Sequence, residues 1–276
     1  MPYLELSFSL PADEELSDIL SAQLSELGCD SFLQEENLLK AYIPHEQFAA
    51  QALEDLLADP YFSAVQLISN EPLADQNWNA LWESNYQAVI INNDCRIRAP
   101  FHAPDPAFRF DLLIEPRMSF GTAHHETTAQ MLALILEMDF VGKQTLDMGS
   151  GTAILAILAR KLGAQPVWAI DNDEWAFNNA LDNVKLNDTP DIEVLLGDAL
   201  LIPKTNFDVI IANINRNILL ADMHYYTHVL NENGTLLLSG FYESDLPLIQ
   251  EKAESLGLKY VKHTSSNQWV AAMFSN

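Results

Sequence analysis

The feature that most constrains the fold is a regular alternation of strand-like and helix-like segments in the second half of the chain. Five apolar strand-like stretches occur there, at residues 145–148, 167–170, 192–196, 209–212 and 235–238. Amphipathic helical stretches follow four of them and end at residues 162, 186, 230 and 256. Alternating units of this length form a mainly parallel sheet that helices cover on both faces. The pattern therefore predicts a doubly wound α/β domain.

Two further strands are predicted at the end of the chain, at residues 258–262 and 269–274. The turn between them, around Ser265-Ser266-Asn267, is too short for a parallel connection. We therefore expect these two strands to be antiparallel.

The first seventy residues show a different order of elements. A strand is predicted over residues 3–8, a helix over 13–27, a hairpin over 31–43, a helix over 45–57 and a strand over 64–68. The order βαββαβ is that of a split βαβ module. The sequence therefore predicts a small ferredoxin-like α+β domain at the N-terminus.

An aromatic stretch separates the two regions. Trp78, Leu81, Trp82 and Tyr86 fall at i, i+3, i+4 and i+8, which is the spacing of one helical face. We predict a linker helix whose aromatic face packs on the large domain, with a substrate contact as the alternative. The predicted organisation is a domain at residues 1–70, a linker helix at 71–94 and an α/β domain at 95–276.

The chain is strongly acidic. Fourteen Lys and Arg against thirty-nine Asp and Glu give a net charge of −25, which repels the phosphates of nucleic acid. Residues 1–75 alone hold fifteen acids and one base, Lys40. A basic protein is therefore the expected macromolecular partner, and a solubilising surface is the alternative explanation for the charge.

Cysteine content and hydropathy predict the compartment. Cys29 and Cys95 are the two cysteines, and their spacing suggests neither a disulfide framework nor a zinc site. No basic region precedes an apolar stretch at the N-terminus, and no apolar run approaches about 18 residues. We expect a soluble, cytoplasmic monomer that does not bind membranes.

A glycine turn follows the first strand of the α/β domain, in Asp147-Met148-Gly149-Ser150-Gly151. Glycine lets the backbone approach a ligand at the carboxyl edge of the sheet, where open α/β folds bind. Asp171 ends the next strand, twenty-two residues after Gly149, close to the separation of about 20 at which an acid binds a ribose diol. These residues predict a nucleoside ligand.

Two features argue against a dinucleotide. Ile154 stands where the dinucleotide fingerprint has Gly or Ala to seat a helix against pyrophosphate. Asp147 would repel pyrophosphate, but it would attract a cationic sulfonium compound with a free amino group. We therefore favour a positively charged nucleoside, and an NAD-dependent oxidoreductase is the alternative from a different class of enzyme.

Two polar residues follow the next strands of the predicted sheet. Asn213 ends a buried-looking strand, and its side-chain oxygen could accept a hydrogen bond from an amine and aim the nitrogen lone pair at a methyl carbon. A helix cap is the alternative role for Asn213. Asp198 is placed to meet an adenine amino group, and a turn acid explains it nearly as well.

A polar loop precedes the first helix of the α/β domain. Phe120, Gly121 and Thr122 could fold over the ligand, with Thr128 near the start of the helix. The adjacent His124 and His125 have no HExxH pattern or carboxylate at ligand spacing, so no metal is predicted.

At these residues the sequence resembles the bacterial PrmA family, methyltransferases that act on the eleventh protein of the large ribosomal subunit. The matching segments include the loop 120–128, which is like the family's F-G-T-G-x-H-x-T-T, together with residues 146–155, 169–173 and 209–214. The likeness covers nearly the whole chain. Departures occur at Ala123, Ala153 and Arg117, where the family usually has Gly.

The resemblance implies a class I, Rossmann-like methyltransferase that uses S-adenosylmethionine, with cofactor contacts at Thr128, Gly149, Asp171 and Asn213. It also implies that residues 1 to about 70 recognise the ribosomal protein and that lysine and N-terminal amines are trimethylated. The remaining alternatives are another amine or amide methyltransferase on the same fold and a non-catalytic module that binds the ribosomal protein.

Overall fold

The computed structural model describes residues 3–11, 14–73, 83–117 and 120–276. The chain divides into two units, Met1–Asn85 and Tyr86–Asn276. No helix in these described ranges is long and apolar enough to cross a membrane. Cys29 and Cys95 are free and buried.

The first unit contains a four-stranded antiparallel sheet in the order β2-β3-β1-β4. Its elements are β1 (Tyr3–Ser9), α1 (Glu14–Glu26), β2 (Ser31–Glu35), β3 (Leu38–Pro44), α2 (Ala50–Leu57) and β4 (Gln66–Pro72). Leu4, Leu6 and Phe8 alternate along β1 and are buried against Leu20 and Leu24 of α1. The order of elements is the predicted βαββαβ.

The prediction of one continuous helix at residues 45–57 is wrong. A short 3-10 turn covers His45–Gln47, and the backbone is then extended at Phe48 and Ala49 before α2 begins. The break allows Phe48 to pack against the apolar core of this unit. Core packing has therefore overridden the helical spacing.

Residues 74–82 of the predicted linker helix at 71–94 lie outside the described residues. Elsewhere in that range residues 71–72 belong to β4 and residues 89–91 form a strand, so the helix does not span it. Residues 83–85 are helical. Three strands then form a small separate sheet: β5 (Val89–Ile91), β6 (Cys95–Arg98) and β7 (Phe110–Leu113). Strand β5 is antiparallel to β6, and β6 is parallel to β7.

A seven-stranded sheet dominates the second unit, in the order β10-β9-β8-β11-β12-β14-β13. Its strands are β8 (Thr145–Met148), β9 (Val167–Asp171), β10 (Ile192–Leu196), β11 (Phe207–Asn213), β12 (Leu230–Tyr242), β13 (Lys259–Ser266) and β14 (Trp269–Ser275). Strands β8 to β12 are parallel, and β14 is antiparallel to both of its neighbours. The doubly wound sheet and the antiparallel final pair are confirmed.

Helices cover both faces of this sheet. They are α3 (Glu126–Leu136), α4 (Ile154–Lys161), α5 (Glu174–Leu186), α6 (Arg216–Val229) and α7 (Leu246–Ser255). Successive residues of β11 enter opposite cores: Val209 and Ile211 lie with α3, α4 and α5, whereas Ile210 and Ala212 lie with α6 and α7. Complete burial of a side chain such as Ile210 contributes about 1.5–3 kcal/mol to stability.

The strand order reverses between β8 and β11. From β8 the chain moves outward to β9 and β10, and it then returns to β11 and continues to β12 on the other side. Open α/β sheets bind ligands at the carboxyl ends of the strands beside such a reversal. The glycine turn after β8 and Asn213 at the end of β11 therefore lie where a ligand is expected.

Candidate active site

The glycine turn after β8 has a left-handed backbone, with φ +66° at Gly149 and +54° at Gly151. The amides of Gly149 and Ser150 donate to the carbonyl of Ile170, at 2.8 and 3.1 Å. A Cβ on Gly149 would collide with the Ile214 side chain, and one on Gly151 would collide with the Phe120 carbonyl. Glycine is needed at both positions because the backbone is left-handed and its neighbours are too close.

Asp171 at the end of β9 holds this turn in place. One of its carboxylate oxygens accepts the Gly151 N–H at 2.8 Å, and the other accepts the Asp173 N–H at 3.0 Å. Asp173 in turn caps α5 by accepting the Ala176 N–H at 2.9 Å. The acid that was predicted to bind ribose therefore also bonds the backbone of the turn.

The loop before α3 lies on the glycine turn. The carbonyl of Phe120 accepts the Thr152 N–H at 3.0 Å, and the carbonyl of Gly121 accepts the Thr152 hydroxyl at 2.6 Å. His125 caps α3 by accepting the Thr127 N–H. Among the residues that the structure describes, no group of three His, Cys, Asp or Glu side chains could hold a metal ion.

Asn213 keeps one side-chain atom without a partner. Its amide nitrogen donates to the hydroxyl of Thr128 at 3.2 Å, whereas its oxygen is buried and accepts no hydrogen bond. The helix that follows is capped by Asn215, which accepts the Ile218 N–H. The capping role is therefore filled by a neighbour, and the buried Asn213 oxygen has no hydrogen-bond partner.

A cleft of about 400 Å³ joins these elements. Five of the predicted site residues line it: Phe120, Gly149, Gly151, Asp171 and Asn213. Trp175 and Ile214, which sequence reasoning did not identify, also line the cleft. Ile214 directly follows the end of β11 and Trp175 comes four residues after the end of β9, and that position in the α/β pattern was the available signal for them.

Asp147 lies beneath the turn and is not part of the cleft lining. The carboxyl group is fully buried; one oxygen accepts the Ala156 N–H at 3.1 Å and the other has no partner. Burial raises the pKa of Asp147 to about 7, with a further increase from the charge of Asp171 and an opposing effect of the Ala156 N–H. A raised pKa is what an acid without a cationic partner shows.

A smaller cavity of about 70 Å³ lies behind the turn and shares Gly149 and Asp171 with the cleft. Asp198 lines it and also accepts the Leu200 N–H at 2.9 Å, so the turn-acid role is present. The Tyr226 hydroxyl, also in the lining, is buried without a partner. Burial raises the pKa of Asp222 in the same cavity.

A chain of aromatic rings begins at the cleft. Ring centroids are 5.1 Å apart for Phe120 and His125, 4.8 Å for His125 and Trp269, and 4.1 Å for Trp269 and Tyr242. Phe120 and Tyr242 are about half exposed. These rings supply flat apolar surface beside the polar end of β11.

Unpartnered polar atoms concentrate around this edge of the sheet. Within the described ranges, five buried side-chain atoms lack a hydrogen-bond partner, and four of them belong to Asp147, Ser150, Asn213 and Tyr226. The fifth belongs to Asp111. Buried polar groups in native proteins are normally bonded, and of these four residues Asn213 lines the cleft and Tyr226 lines the adjoining cavity.

A family model described as "Ribosomal protein L11 methyltransferase (PrmA)" matches residues 12–276. The chain belongs to the PrmA family. A relative from Porphyromonas gingivalis named as ribosomal protein L11 methyltransferase is 48% identical over 100% of this chain and 98% of its own. One from Phocaeicola vulgatus with the same name is 45% identical over 99% of each.

A solved structure described as the ribosomal protein L11 methylase of Lactobacillus delbrueckii subsp. bulgaricus shares the fold of much of this chain. It is 27% identical with a TM-score of 0.65, and the match covers 69% of this chain and 99% of that one. The resemblance to the PrmA family and the Rossmann-like methyltransferase fold are thus confirmed.

Two departures from the PrmA pattern have a structural consequence. Ala123 and Ala153 replace Gly and adopt φ of +66° and +61°, the left-handed region that costs an alanine roughly 1–2 kcal/mol. Both side chains are buried. Arg117, the third departure, pairs with Asp182 of α5 at 2.8 Å.

Proposed function

We propose that this protein transfers methyl groups from S-adenosylmethionine to amine nitrogens of ribosomal protein L11. The observation that carries the proposal is that Gly149, Asp171 and Asn213 line one cleft, and that the Asn213 oxygen there is unpartnered. The family name and the relatives' names support the same activity.

The residues present fit the cofactor. Gly149 and Gly151 carry no side chain of their own, and both line the cleft. Asp171 offers a carboxylate to a ribose diol, and Asp198 lines the adjoining cavity where an adenine amino group would be bound. S-adenosylmethionine, when bound, supplies an electrophilic methyl group on a sulfonium sulfur.

The chain's own contribution is to orient the amine. A lysine amine has a reference pKa near 10.4, so it must be neutral before its lone pair can attack. Asn213 can accept an N–H of that neutral amine and so direct the lone pair away from itself. Thr128 accepts from the other end of the amide and keeps the Asn213 oxygen as the free acceptor.

Phe120, Gly121 and Thr122 close the same site in this proposal. Thr152 bonds the backbone of Phe120 and Gly121 and places the Phe120 ring in the cleft lining. A closed apolar lid excludes water, and it favours the neutral amine over the ammonium ion.

Several finer assignments are also proposals. We infer that lysine and N-terminal amines are trimethylated, and that residues 1–70 recognise the substrate. In the described part of that segment, acidic side chains such as Glu15, Glu26 and Glu54 are exposed and suit a basic partner. A cytoplasmic location, a monomeric state and the lack of nucleic-acid binding stay predictions from the sequence.

Mass spectrometry of purified L11 tests the proposal. The protein and L11 are incubated with S-adenosylmethionine carrying a labelled methyl group, and a reaction without the protein is the control. We expect label on L11 amines, mapped by peptide fragmentation. Label on a different substrate only would indicate another amine or amide methyltransferase, and L11 binding without methyl transfer would indicate a non-catalytic module.

The role of the acidic N-terminal segment has its own test. If residues 1–70 attract L11 by charge, the dissociation constant for L11 should rise as salt is added from about 50 to about 300 mM. A dissociation constant independent of salt would assign these acids to solubility.

Calorimetric titration with NADH tests the alternative of an NAD-dependent oxidoreductase. Binding of NADH would favour that alternative.

A further inference from the structure

Three asparagines form a buried polar stripe along α5 and its C-cap. Asn179, Asn183 and Asn187 recur every four residues, so they stand on one helical face, and their exposed fractions are 0%, 0% and 4%. Burying an amide is costly unless its donors and acceptors are bonded. A stripe of three buried amides therefore needs partners, and the structure supplies them from one neighbouring segment and from the glycine turn.

The segment is the stretch that leaves β7 toward the loop at residues 120–122. Asn187 accepts the Leu113 N–H at 2.9 Å and donates to the Leu113 carbonyl at 2.6 Å. Asn183 accepts the Glu115 N–H at 2.9 Å, and Asn179 donates to the Glu115 carbonyl at 3.3 Å. The helix thus bonds alternate residues of the segment as a neighbouring strand would.

Asn183 makes one contact that the other two lack. Its amide nitrogen donates to the Thr152 carbonyl at 3.1 Å, and also to the Asn179 oxygen at 2.7 Å. Thr152 follows Gly151 and donates to Phe120 through its N–H and to Gly121 through its hydroxyl. One side chain therefore joins the segment before the loop, the glycine turn and, through Thr152, the loop itself.

We propose that Asn183 is a positioning residue that holds the glycine turn and the loop 120–122 in the geometry that binds the cofactor. Asn183 lines neither the cleft nor the adjoining cavity, so it acts through Thr152 and not on the ligand. The proposal rests on the proposed function in one respect, namely that the cleft takes S-adenosylmethionine.

Asn187 provides a matched control. It is buried like Asn183, caps the C-terminal end of the same helix and bonds the same segment, but it has no bond to Thr152. Asn183→Asp keeps the acceptor for Glu115 and replaces the donor by an oxygen that faces the Thr152 carbonyl and the Asn179 oxygen. Asn187→Asp makes the equivalent change toward the carbonyls of Leu113 and Asn183.

Calorimetric titration with S-adenosylmethionine gives the first measurement, at a temperature where thermal scans show both variants folded. We expect Asn183→Asp to weaken binding about tenfold, which corresponds to the loss of one hydrogen bond to a charged or polar group. Asn187→Asp should stay within about twofold of the unsubstituted protein. Asn183→Ala, which introduces no charge, replaces Asn183→Asp if that variant does not fold.

Amide hydrogen exchange gives a second measurement that needs no ligand. Asn183→Asp should accelerate exchange in peptides that cover residues 120–128 and 149–153, because Thr152 loses its anchor. In Asn187→Asp the acceleration should be confined to residues 111–115. Equal effects of the two variants on affinity and on exchange would overturn the positioning role. If the unsubstituted protein bound no S-adenosylmethionine, the proposed function would fail, and the exchange pattern would still decide the role of Asn183.

Discussion

The polar residues that end β9 and β11, Asp171 and Asn213, lie on opposite sides of the strand reversal and differ in how their side chains are bonded. On the β8 and β9 side, both oxygens of Asp171 accept backbone N–H groups and Asp173 caps α5. On the β11 side, Thr128 fixes one end of the Asn213 amide and leaves its oxygen free. Internal hydrogen bonds preorganise the strand end at Asp171, as a binding site needs. The strand end at Asn213 keeps an acceptor for the group that reacts.

The largest expected effect on cofactor affinity is at the cradle, by which we mean the glycine turn at residues 149–151 together with Asp171. Gly151→Ala places a Cβ against the Phe120 carbonyl at a left-handed position, so the turn and the loop above it must separate. We expect affinity for S-adenosylmethionine to fall at least about 100-fold in calorimetry, from strain of roughly 1–2 kcal/mol plus the displaced backbone. Gly142→Ala is the control, because its φ is +70° with nothing within 4 Å. A similar loss in both variants would separate the turn from binding.

The buried acid beneath the cradle gives a pH test. Because burial raises the pKa of Asp147 from 3.8 to about 7, the unfolded chain releases this proton at lower pH than the folded protein does. Stability is therefore lost as pH rises between about 4 and about 7. Asp147→Asn should remove that part of the slope, on the order of 4 kcal/mol, in denaturant unfolding at a series of pH values.

Glu254→Gln serves as the control for this pH test, since it removes one acidic charge at an exposed position. Parallel stability profiles for the unsubstituted protein and Asp147→Asn would show that Asp147 ionises in the folded protein without cost. In that case the ionisation of Asp147 would not set the side of the reversal that holds the glycine turn apart from the β11 side.

A smaller effect is expected at Asp171. Asp171→Ala removes the proposed ribose contact and the bond to the Gly151 N–H, and we expect binding of S-adenosylmethionine to weaken about tenfold. Asp139→Ala is the matched control, because Asp139 also accepts a backbone N–H, that of Val141 at 3.1 Å, and is absent from the cleft lining. Equal affinity in the two variants would refute the ribose assignment.

The smallest effect is expected at Ala153. Replacing it by Gly relieves left-handed strain of roughly 1–2 kcal/mol but loses about 0.8 kcal/mol of methyl burial and adds flexibility to the unfolded chain. These terms nearly cancel, so the free energy of unfolding should change by less than about 1 kcal/mol. Ala156→Gly, inside α4, should cost about 1 kcal/mol. An equal loss at both sites would show that Ala153 is unstrained.

The sequence predicted the elements whose periodicity is local. Strand β10 has the predicted bounds, and the glycine turn, Asp171 and Asn213 meet in one cleft because parallel strands end at the same edge. The break at Phe48 was not predictable from helical spacing, because it depends on packing against distant strands. Strand β5 was not predicted, although the sequence held a local signal for it. Asn92 and Asn93, both left-handed, form the tight turn that joins β5 to β6.

The partners of the site residues were less accessible to sequence reasoning. Three of these contacts depend on side-chain geometry across elements. Asp171 bonds the glycine turn, Asn215 caps α6 in place of Asn213, and Asn183 donates to the Thr152 carbonyl. Trp269 and Phe120 both contact His125, and they come together because α3 packs near β14. The contact between His125 and Trp269 joins residues 144 positions apart, and no periodicity encodes it.

Paired measurements on Asn213→Ala test the central claim most directly, with Asn215→Ala as the control for a lost helix cap. If the cradle binds and Asn213 orients the amine, Asn213→Ala should keep the affinity for S-adenosylmethionine within a few-fold while methyl transfer to L11 falls about 100-fold. Unchanged turnover, or a loss of turnover fully accounted for by weaker cofactor binding, would contradict the division between the two sides.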